Sequence, residues 1–373
     1  MKNRVLFSLG ISLLLGALSV QAQGYFNISP LTTFANNGWL APSNYNGSTY
    51  AYLTTGNTER GLAFGNGHLY LAARGSSSIR ILNPLTGLDL GGLDMGSGII
   101  SGGTFAMNMI AVGGDGAIYL DNLTTQSSTT PFKVYRWANE AATPTLAYSG
   151  SPLAGGRVGD TFAAIGSGSS TLLAAGFSSS PSVTGNNGFS IIDPTAGTAT
   201  QVSFSGTPPN AGDFRLGLTF TDSSHVYGTP GATFSYAAFT GSSGALVSTF
   251  TPVSNAERPL GFTTLAGHPL MAAISTADNH VSVYDLSNPA NPVLLGQGNA
   301  TSGTLAANAN GTGAIAWGNP VYDPVSQRWS EDLYAMSSND GIQAFVVTVP
   351  EPGSLALAAL GVGLLACWRR LRK

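Results

Sequence analysis

The stretch "NTERGLAFGNGHLYLAA" (residues 57–73) recurs as "NAERPLGFTTLAGHPLMAA" (residues 255–273), about 200 residues further along the chain. In the first copy, Leu69 and Leu71 repeat with a period of two, which predicts a β-strand rather than a helix. Asn66-Gly67 stands between two such apolar runs and is a strong hairpin signal. The stretch therefore predicts a β-hairpin, and its recurrence predicts a repeated β unit.

Weaker copies of the unit lie between and after these two. They begin at Met109, Thr161, Leu216 and Ala314. Six units of roughly 50 residues predict an all-β fold, a β-propeller of six blades in which neighbours complete each other's core. Seven blades are expected instead if residues 24–52 contribute more than one strand, and residues 50–53 are expected to close the ring beside the last blade. A pair of β-sandwiches is the main alternative.

The N-terminus has the pattern of a secretory signal peptide. Two cationic residues at positions 2 and 4 precede an apolar stretch, and the short residues Val20 and Ala22 resemble the usual cleavage pattern. We predict a signal peptide over residues 1–22, cleaved between Ala22 and Gln23. An uncleaved N-terminal anchor is the alternative, and in either case the chain enters a secretory route.

The C-terminus, "VPEPGSLALAALGVGLLACWRRLRK" (residues 349–373), joins a short apolar run to a cationic end. As a helix, the run over residues 355–368 spans about 21 Å, against about 30 Å for a hydrocarbon core, so it predicts a short transmembrane helix of marginal length. The four cationic residues after it favour a cytoplasmic C-terminus. A buried helix of a soluble domain is the alternative, but such a helix should have a polar face and this run has none.

A Pro-Glu-Pro turn, an apolar helix and an arginine-rich end occur here in the order of the PEP-CTERM sorting signal of Gram-negative bacteria, which the tail resembles. The resemblance implies that a membrane-embedded exosortase recognises Pro350, Glu351 and Pro352, cleaves nearby, and delivers the protein to the cell surface or extracellular matrix. Before processing, the tail would tether the precursor to the inner membrane. The chain then divides into a signal peptide (1–22), an exported domain (23–348) and a sorting segment (349–373).

The exported domain is acidic and poor in lysine. It holds 9 of the 15 basic residues and 17 of the 18 acidic residues, a net charge of about −8 against −3 for the whole chain. This balance argues against binding to nucleic acid, which needs basic patches. The single cysteine, Cys367, lies in the tail, so the exported domain has neither a disulfide nor a cysteine nucleophile.

Arginine recurs at or just before the first strand of several units, at Arg60, Arg157, Arg215 and Arg258. Because the first strand of a propeller blade is innermost, these residues are candidates for a ring at one channel mouth that attracts an anion. Alternatively, Glu59-Arg60 and the equivalent pair at 257–258 form repeated ion pairs or hydrogen bonds between blades. We favour this structural role, because a residue that recurs in each copy usually serves the packing of the copy.

Residues that indicate enzymatic chemistry are scarce. The four histidines lack metal-ligand spacing, and the sequence has no nucleophile elbow or phosphate-binding loop. Some six-bladed propellers are calcium-dependent lactonases, for which Asp160 and Asp213, each near a recurring arginine, are the residues to test. We expect instead a non-enzymatic binding or scaffold propeller that uses no cofactor, with extracellular polysaccharide as a candidate partner.

Trp39, Tyr45 and Trp329 are candidates for stacking on sugar rings or for covering blade edges.

Overall fold

The computed structural model describes residues 26–42, 50–153, 156–178, 188–204, 210 and 212–350. The predicted signal peptide, its cleavage residues Ala22 and Gln23, and the sorting residues Glu351 and Pro352 lie outside the described residues. The predicted tail helix (355–368) also lies outside them. Within the described ranges, no helix is long and apolar enough to cross a membrane.

The described residues form strands and two single-turn 3₁₀ helices, Arg74–Ser76 and Gly168–Ser170. Two short strands come first: β1 (Asn27–Pro30) and β2 (Trp39–Leu40). The first blade contains β3 (Glu59–Gly65), β4 (His68–Ala73), β5 (Ser78–Leu82) and β6 (Asp89–Gly92). The second contains β7 (Ile110–Val112), β8 (Ile118–Asp121), β9 (Phe132–Trp137) and β10 (Thr145–Gly150). The third contains β11 (Arg157–Ile165), β12 (Leu172–Ser178), β13 (Phe189–Asp193) and β14 (Thr198–Gln201).

The second half of the chain continues the pattern. The fourth blade contains β15 (Ser203–Phe204), β16 (Gly217–Asp222), β17 (His225–Thr229), β18 (Phe234–Thr240) and β19 (Ser243–Phe250). The fifth contains β20 (Glu257–Leu265), β21 (His268–Ser275), β22 (Val281–Asp285) and β23 (Val293–Gly298). The sixth contains β24 (Gly313–Trp317), β25 (Val321–Asp323), β26 (Arg328–Ser337) and β27 (Gly341–Pro350). Within each blade neighbouring strands pair antiparallel, except that β15 runs parallel to β19.

The hairpin predicted from residues 57–73 forms between β3 and β4. Asn66 and Gly67 both have positive φ, 53° and 77°, which is the backbone of a type I′ turn whose twist matches that of the strands. Gly65 then pairs with His68, and the ladder continues to the far end of both strands. The second copy of the repeat forms the equivalent hairpin between β20 and β21.

Each blade buries its faces against its two neighbours. Tyr70 of the first blade shares one apolar cluster with Ile118 and Trp137 of the second, and all three side chains are fully buried. Val283 of the fifth blade and Phe345 of the sixth share another such cluster. A single four-stranded sheet cannot bury both of its faces, so the blades stabilise one another as a ring. The innermost strands contact each other in the order β3, β7, β11, β16, β20, β24 and back to β3.

The ring closes through the start of the chain. β1 pairs with β27, placing Asn27 opposite Thr348, and therefore serves as the outermost strand of the last blade. β2 pairs with β27 as well, so both strands of the 24–52 region join the sixth blade and the described residues form six blades rather than seven. The expectation that residues 50–53 close the ring is wrong, because they form a turn. The prediction of a six-bladed all-β propeller is confirmed, and the sandwich alternative is wrong.

The last strand continues beyond the predicted end of the exported domain. β27 reaches Pro350, and Val349 pairs with Trp329 and is 3% exposed. The first two residues of the predicted sorting segment therefore belong to the sheet.

Candidate functional site

The N-terminal ends of the innermost strands meet at one mouth of the central channel. In β3, β11 and β20, the pairing with the next strand shifts register just there: at Arg60, at residues 159–161 and at residues 258–259. A β-bulge re-aims the side chains that it carries, and bulges occur often beside functional sites. At these three register shifts, the side chains of Arg60, Asp160 and Arg258 no longer follow the regular alternation between the two faces of the sheet.

Four arginines lie around one carboxylate at this end, and we term Arg60, Arg74, Arg157, Arg215 and Asp160 the arginine mouth. Arg157 donates to both oxygens of Asp160, from Nε to Oδ2 at 2.5 Å and from Nη2 to Oδ1 at 2.7 Å. Arg215 donates from Nε to Oδ2 at 2.8 Å. Burial raises the pKa of Asp160, but the hydrogen bonds and charges of Arg157 and Arg215 outweigh this and hold the pKa below its ordinary value. Asp160 is therefore ionised at neutral pH.

Arg60 joins four blades at the mouth. Its Nη2 lies 3.9 Å from Oδ1 of Asp160 in the third blade. Its Nε donates to Oδ1 of Asn108, before the second blade, at 3.3 Å, and its Nη1 donates to Oγ1 of Thr312, beside the sixth. Burial, followed by the charge of Arg74, lowers the pKa of Arg60 to about 10, and Asp160 opposes that shift. Arg60 remains a cation at neutral pH, although it is only 3% exposed.

Arg74 is the member of the mouth that the sequence patterns did not single out. It lies in the 3₁₀ turn after β4, where Nη1 donates to Oδ1 of Asn108 at 3.3 Å and Nη2 to the carbonyl oxygen of Asn57 at 2.5 Å. Its guanidinium carbon stands 3.6 Å from the ring centre of Phe105, a cation–π contact. In the sequence, Arg74 is simply an arginine just after the second strand of the first blade. That position predicts a role at the mouth only once the loop is known to face the same end of the channel.

Two further acidic residues near the mouth, Asp121 and Glu59, have pKa values that burial raises, so they offset the charge of the arginines less than an ionised carboxylate would. Asp121 is fully buried; its Oδ1 accepts from the backbone N–H of Met109 at 2.6 Å, and its Oδ2 has no hydrogen-bond partner among the described residues. Burial, with a contribution from nearby Asp160, raises the pKa of Asp121 well above its ordinary value. Burial also raises the pKa of Glu59 to about 7. Burial therefore favours the neutral form of Asp121, and Glu59 is only partly ionised at neutral pH.

The arginine mouth thus carries an excess of positive charge, since its four guanidinium groups lie around the single carboxylate of Asp160. Two of these groups are accessible: the side chains of Arg157 and Arg215 are 30% and 33% exposed. Arg215 donates to Asp160 through Nε, and its terminal nitrogens donate no hydrogen bond to a described residue. Guanidinium groups bind carboxylate, sulfate and phosphate through paired N–H donors, so the mouth can bind an anion.

Arg258 lies apart from this group. Its Nε donates to the carbonyl oxygen of Pro230 at 3.1 Å and its Nη1 to Oγ1 of Thr276 at 2.8 Å. The expected ion pairs within Glu59-Arg60 and the 257–258 pair do not form among the described residues. Glu257 accepts instead from Ser282 and from the hydroxyl of Tyr284. Arg60 does make hydrogen bonds between blades, as the structural alternative expected, but with other partners.

Below the mouth, the channel is lined by residues without charged side chains. A central cavity of about 220 Å³ is lined by all six innermost strands. Its lining residues lie at 62–64, 109–112, 161–164, 216–219, 259–262 and 313–317. Charged ligand groups therefore find their partners at the mouth rather than along the channel.

The two aspartates considered for a lactonase are both engaged by protein donors. Both oxygens of Asp160 already accept from arginine. Asp213 is 2% exposed, and its Oδ2 accepts from the backbone N–H of Asn210 at 2.7 Å and from Oγ of Ser235 at 3.2 Å. Burial raises the pKa of Asp213. No group of three or more His, Cys, Asp or Glu side chains suited to a metal occurs in the described part of the chain.

The aromatic residues proposed for sugar stacking have different surroundings. Trp39 is not accessible for stacking on a sugar, because it is 2% exposed and its Nε1 donates to the carbonyl oxygen of Asp340 at 2.7 Å. Trp329 lies in β26 and packs on Tyr322, with ring centres 5.2 Å apart. Tyr45 lies outside the described residues.

Fold and site together define an all-β, six-bladed propeller with a cationic channel mouth. Residues 34–205, which hold the first three blades, match the domain of unknown function DUF4623. Residues 348–373 match the PEP-CTERM protein-sorting motif. The chain is an exported propeller protein that carries a PEP-CTERM sorting motif, as its tail predicted, and the motif implies processing by an exosortase-type enzyme.

Similar folds occur in solved structures with little sequence in common. A DUF4623 family protein from Bacteroides eggerthii has a TM-score of 0.56 at 15% identity, covering 80% of this chain and 71% of its own. A luciferin-regenerating enzyme has a TM-score of 0.44 at 10% identity, covering 87% of this chain and 97% of its own. At such identities the likeness shows the fold alone. No curated protein matches the chain in sequence.

Proposed function

We propose that the protein is a non-enzymatic binding propeller, displayed at the cell surface or in the extracellular matrix, whose arginine mouth binds an anionic ligand. The observation that carries this proposal is the convergence of Arg60, Arg157 and Arg215 on the single carboxylate of Asp160. The ligand class is an extracellular polysaccharide that bears carboxylate, sulfate or phosphate groups. The sorting motif supports an extracellular location.

The charge distribution supports an anionic ligand. The exported domain is acidic as a whole, yet it concentrates four arginines at one mouth and leaves them mostly unneutralised. A cation cluster in a concave site with low-dielectric walls focuses the field and attracts anions from solution. Arg60 is buried and held by hydrogen bonds, so it contributes charge without needing to move, while Arg157 and Arg215 are exposed enough to contact the ligand.

The surroundings of the acidic residues support a binding role over catalysis. A general base must be reached by the substrate, but Glu59 is 1% exposed and Asp121 is fully buried. Asp160 is reachable only through the arginines that hold it. The mouth therefore offers cations to a ligand, and the carboxyls behind them set the position and charge of those cations.

The test is binding of the full-length chain, purified in a detergent without a sugar headgroup, to three polysaccharides: alginate, dextran sulfate and uncharged dextran. We expect binding to one or both polyanions, weakened by salt, with dextran not bound. Arg157→Gln and Arg215→Gln should each weaken binding about tenfold, because each removes one charged donor pair.

The matched control is Arg258→Gln, which removes an arginine at the equivalent strand start that does not contact Asp160 and should leave affinity within twofold. Equal polyanion binding by wild type and by an Arg157→Gln/Arg215→Gln double variant that is still folded would show that the mouth is not the site. Hydrolysis assays on a panel of lactones, with and without added calcium, test the non-enzymatic part separately. Calcium-dependent turnover would overturn it in favour of a propeller hydrolase.

A further inference from the structure

The opposite end of the channel opens into a second cavity, which the proposed anion site does not use. Its volume is about 520 Å³, within the usual range for small-molecule sites. Segments at residues 64–66, 112–116 and 317–319 line it, and they belong to the first, second and sixth blades. We term this cavity the tryptophan mouth, after Trp317 in its wall.

Trp317 provides a fixed aromatic surface. It is the last residue of β24, and its Nε1 donates to the carbonyl oxygen of Gly261 in the fifth blade at 3.0 Å. Since its one polar atom is satisfied by the protein, the indole has only its apolar surface left for a ligand. The hydrogen bond and the neighbouring blade hold the half-buried ring in place, so little side-chain freedom is lost when a ligand stacks on it.

Polar groups from separate turns accompany this ring. Asp115 and Asn319 are exposed, and Asn319 makes no hydrogen bond with another described residue. Asn66 bridges the first two blades, because its Nδ2 donates at 2.9 Å to both the carbonyl oxygen of Gly116 and the hydroxyl of Tyr70. Its Oδ1 accepts no hydrogen bond from a described residue, so it remains an acceptor at the cavity wall.

The contact between Asn66 and Gly116 explains why position 116 in the cavity wall is a glycine. A Cβ at Gly116 would stand 2.1 Å from Oδ1 of Asn66, and Gly116 has a φ of +80°. Only glycine lets the amide of Asn66 cross between the blades here. The side-chain positions in the wall are thus set by backbone geometry.

We propose that the tryptophan mouth binds a neutral sugar residue, stacked on Trp317 and hydrogen-bonded through its hydroxyls to Asp115 and Asn319. A pyranose has an apolar C–H face and a rim of hydroxyl donors, which matches an aromatic plane beside carboxylate and amide oxygens. The lining contains no Lys or Arg, and Asp115 repels anions, so the ligand differs in charge from that of the arginine mouth. This site is independent of the proposed anion site.

The test is titration of the full-length chain, in a detergent without a sugar headgroup, with cellobiose, maltose, lactose and N,N′-diacetylchitobiose. Saturation-transfer NMR and calorimetry report the binding. We expect at least one disaccharide to bind, and Trp317→Ala to weaken it tenfold or more. Asn319→Ala alters an exposed side chain, and Asp115→Ala alters one whose Oδ1 accepts only a long hydrogen bond, 3.4 Å, from the backbone N–H of Ala117; each should weaken binding about fivefold. Trp329→Phe, a tryptophan change in the same blade outside the cavity, should change affinity less than twofold.

Two results overturn the proposal. One is failure of all four disaccharides to bind a folded wild-type chain. The other is disaccharide binding that remains unchanged in both Asp115→Ala and Asn319→Ala. This second test remains valid even if Trp317→Ala does not fold. Arg215→Gln separates the two sites, because it should weaken polyanion binding and leave disaccharide binding intact.

Discussion

Replacing Asp160 with asparagine removes the only ionised carboxylate of the arginine mouth and keeps the shape of the side chain. Asp160 accepts three hydrogen bonds from Arg157 and Arg215, and Arg60 lies 3.9 Å away. In the variant, three guanidinium groups repel one another without a counter-ion, and an amide donor faces them. We therefore expect Asp160→Asn to destabilise the ring more than any other single aspartate change at this mouth.

The size of the effect follows from burial. Removing one partner of a buried ion pair costs about 3–5 kcal/mol, because a charge remains buried and unpaired. Arg60 is 3% exposed and meets this condition, whereas Arg157 and Arg215 are about a third exposed and recover part of the loss through hydration. We expect a loss near the lower end, about 3 kcal/mol. At about 2 °C per kcal/mol for a large domain, the unfolding midpoint should fall by about 6 °C.

Thermal unfolding at neutral pH measures this loss, with Asp213→Asn as the matched control. Asp213 is as deeply buried but accepts from a backbone N–H and a serine, so its replacement should cost about 1 kcal/mol. The pKa of Asp160 is lowered in the folded state, so its contribution is present above the unfolded pKa of about 3.9 and is lost as the pH falls through the lower folded value. The difference between wild type and variant should shrink there.

If Asp160→Asn melts within 1 °C of wild type, the arginines do not need their carboxylate and the prediction is wrong. Equal losses in Asp160→Asn and Asp213→Asn would refute it too, since burial alone would explain both. Added sulfate should restore part of the stability of Asp160→Asn, as an anion takes the place of the carboxylate.

Three further predictions follow from other parts of the molecule. Burial raises the pKa of Glu331 to about 8, so between about pH 4.3 and 8 the folded state keeps a proton on Glu331 that the unfolded state loses. The free energy of unfolding should therefore fall as the pH rises from about 4.3 to 8. Urea titrations over this range should show a flatter pH dependence for Glu331→Gln. A Cβ at Gly217 would lie 1.7 Å from the carbonyl oxygen of Arg258, so Gly217→Ala should force two blades apart and cost about 2 kcal/mol, whereas an unchanged melting temperature would contradict that contact. Alanines in place of Pro350-Glu351-Pro352 should leave an uncut precursor in the membrane fraction, and normal release would contradict recognition of the motif.

The prediction of six blades succeeded because its signals are local. Alternating apolar residues and a turn such as Asn66-Gly67 specify a hairpin within about 15 residues, and six repeats of that pattern specify a ring. Ring closure was predicted wrongly for the opposite reason. β1 is four residues long, ends in Pro30 and has no clear alternation, and its partner β27 lies about 300 residues away. Residues 50–53 looked more strand-like, yet they form a turn.

The candidate sites were predicted only in part. The recurrence of arginine identified Arg60, Arg157 and Arg215, but nothing local separates them from Arg258, which has other partners. Arg74 belongs to a loop after a second strand, and its place beside Asn108 depends on the neighbouring blade. Trp317 looked like one more apolar residue of an inner strand. Its exposure to a cavity depends on three blades meeting at that end of the channel.

Strand periodicity, turn chemistry and the Pro-Glu-Pro motif act over short distances, so the amino-acid sequence alone predicted an all-β repeat protein with a sorting tail. Which side chains meet depends on how the blades pack in the ring. Arg60, Asp160 and Arg215 come from three blades, and bulges at two of the strand starts bring them together. The raised pKa of Asp121 depends on tertiary structure in the same way, because distant segments bury its carboxyl. Ring closure makes these contacts, and no local stretch of sequence encodes it.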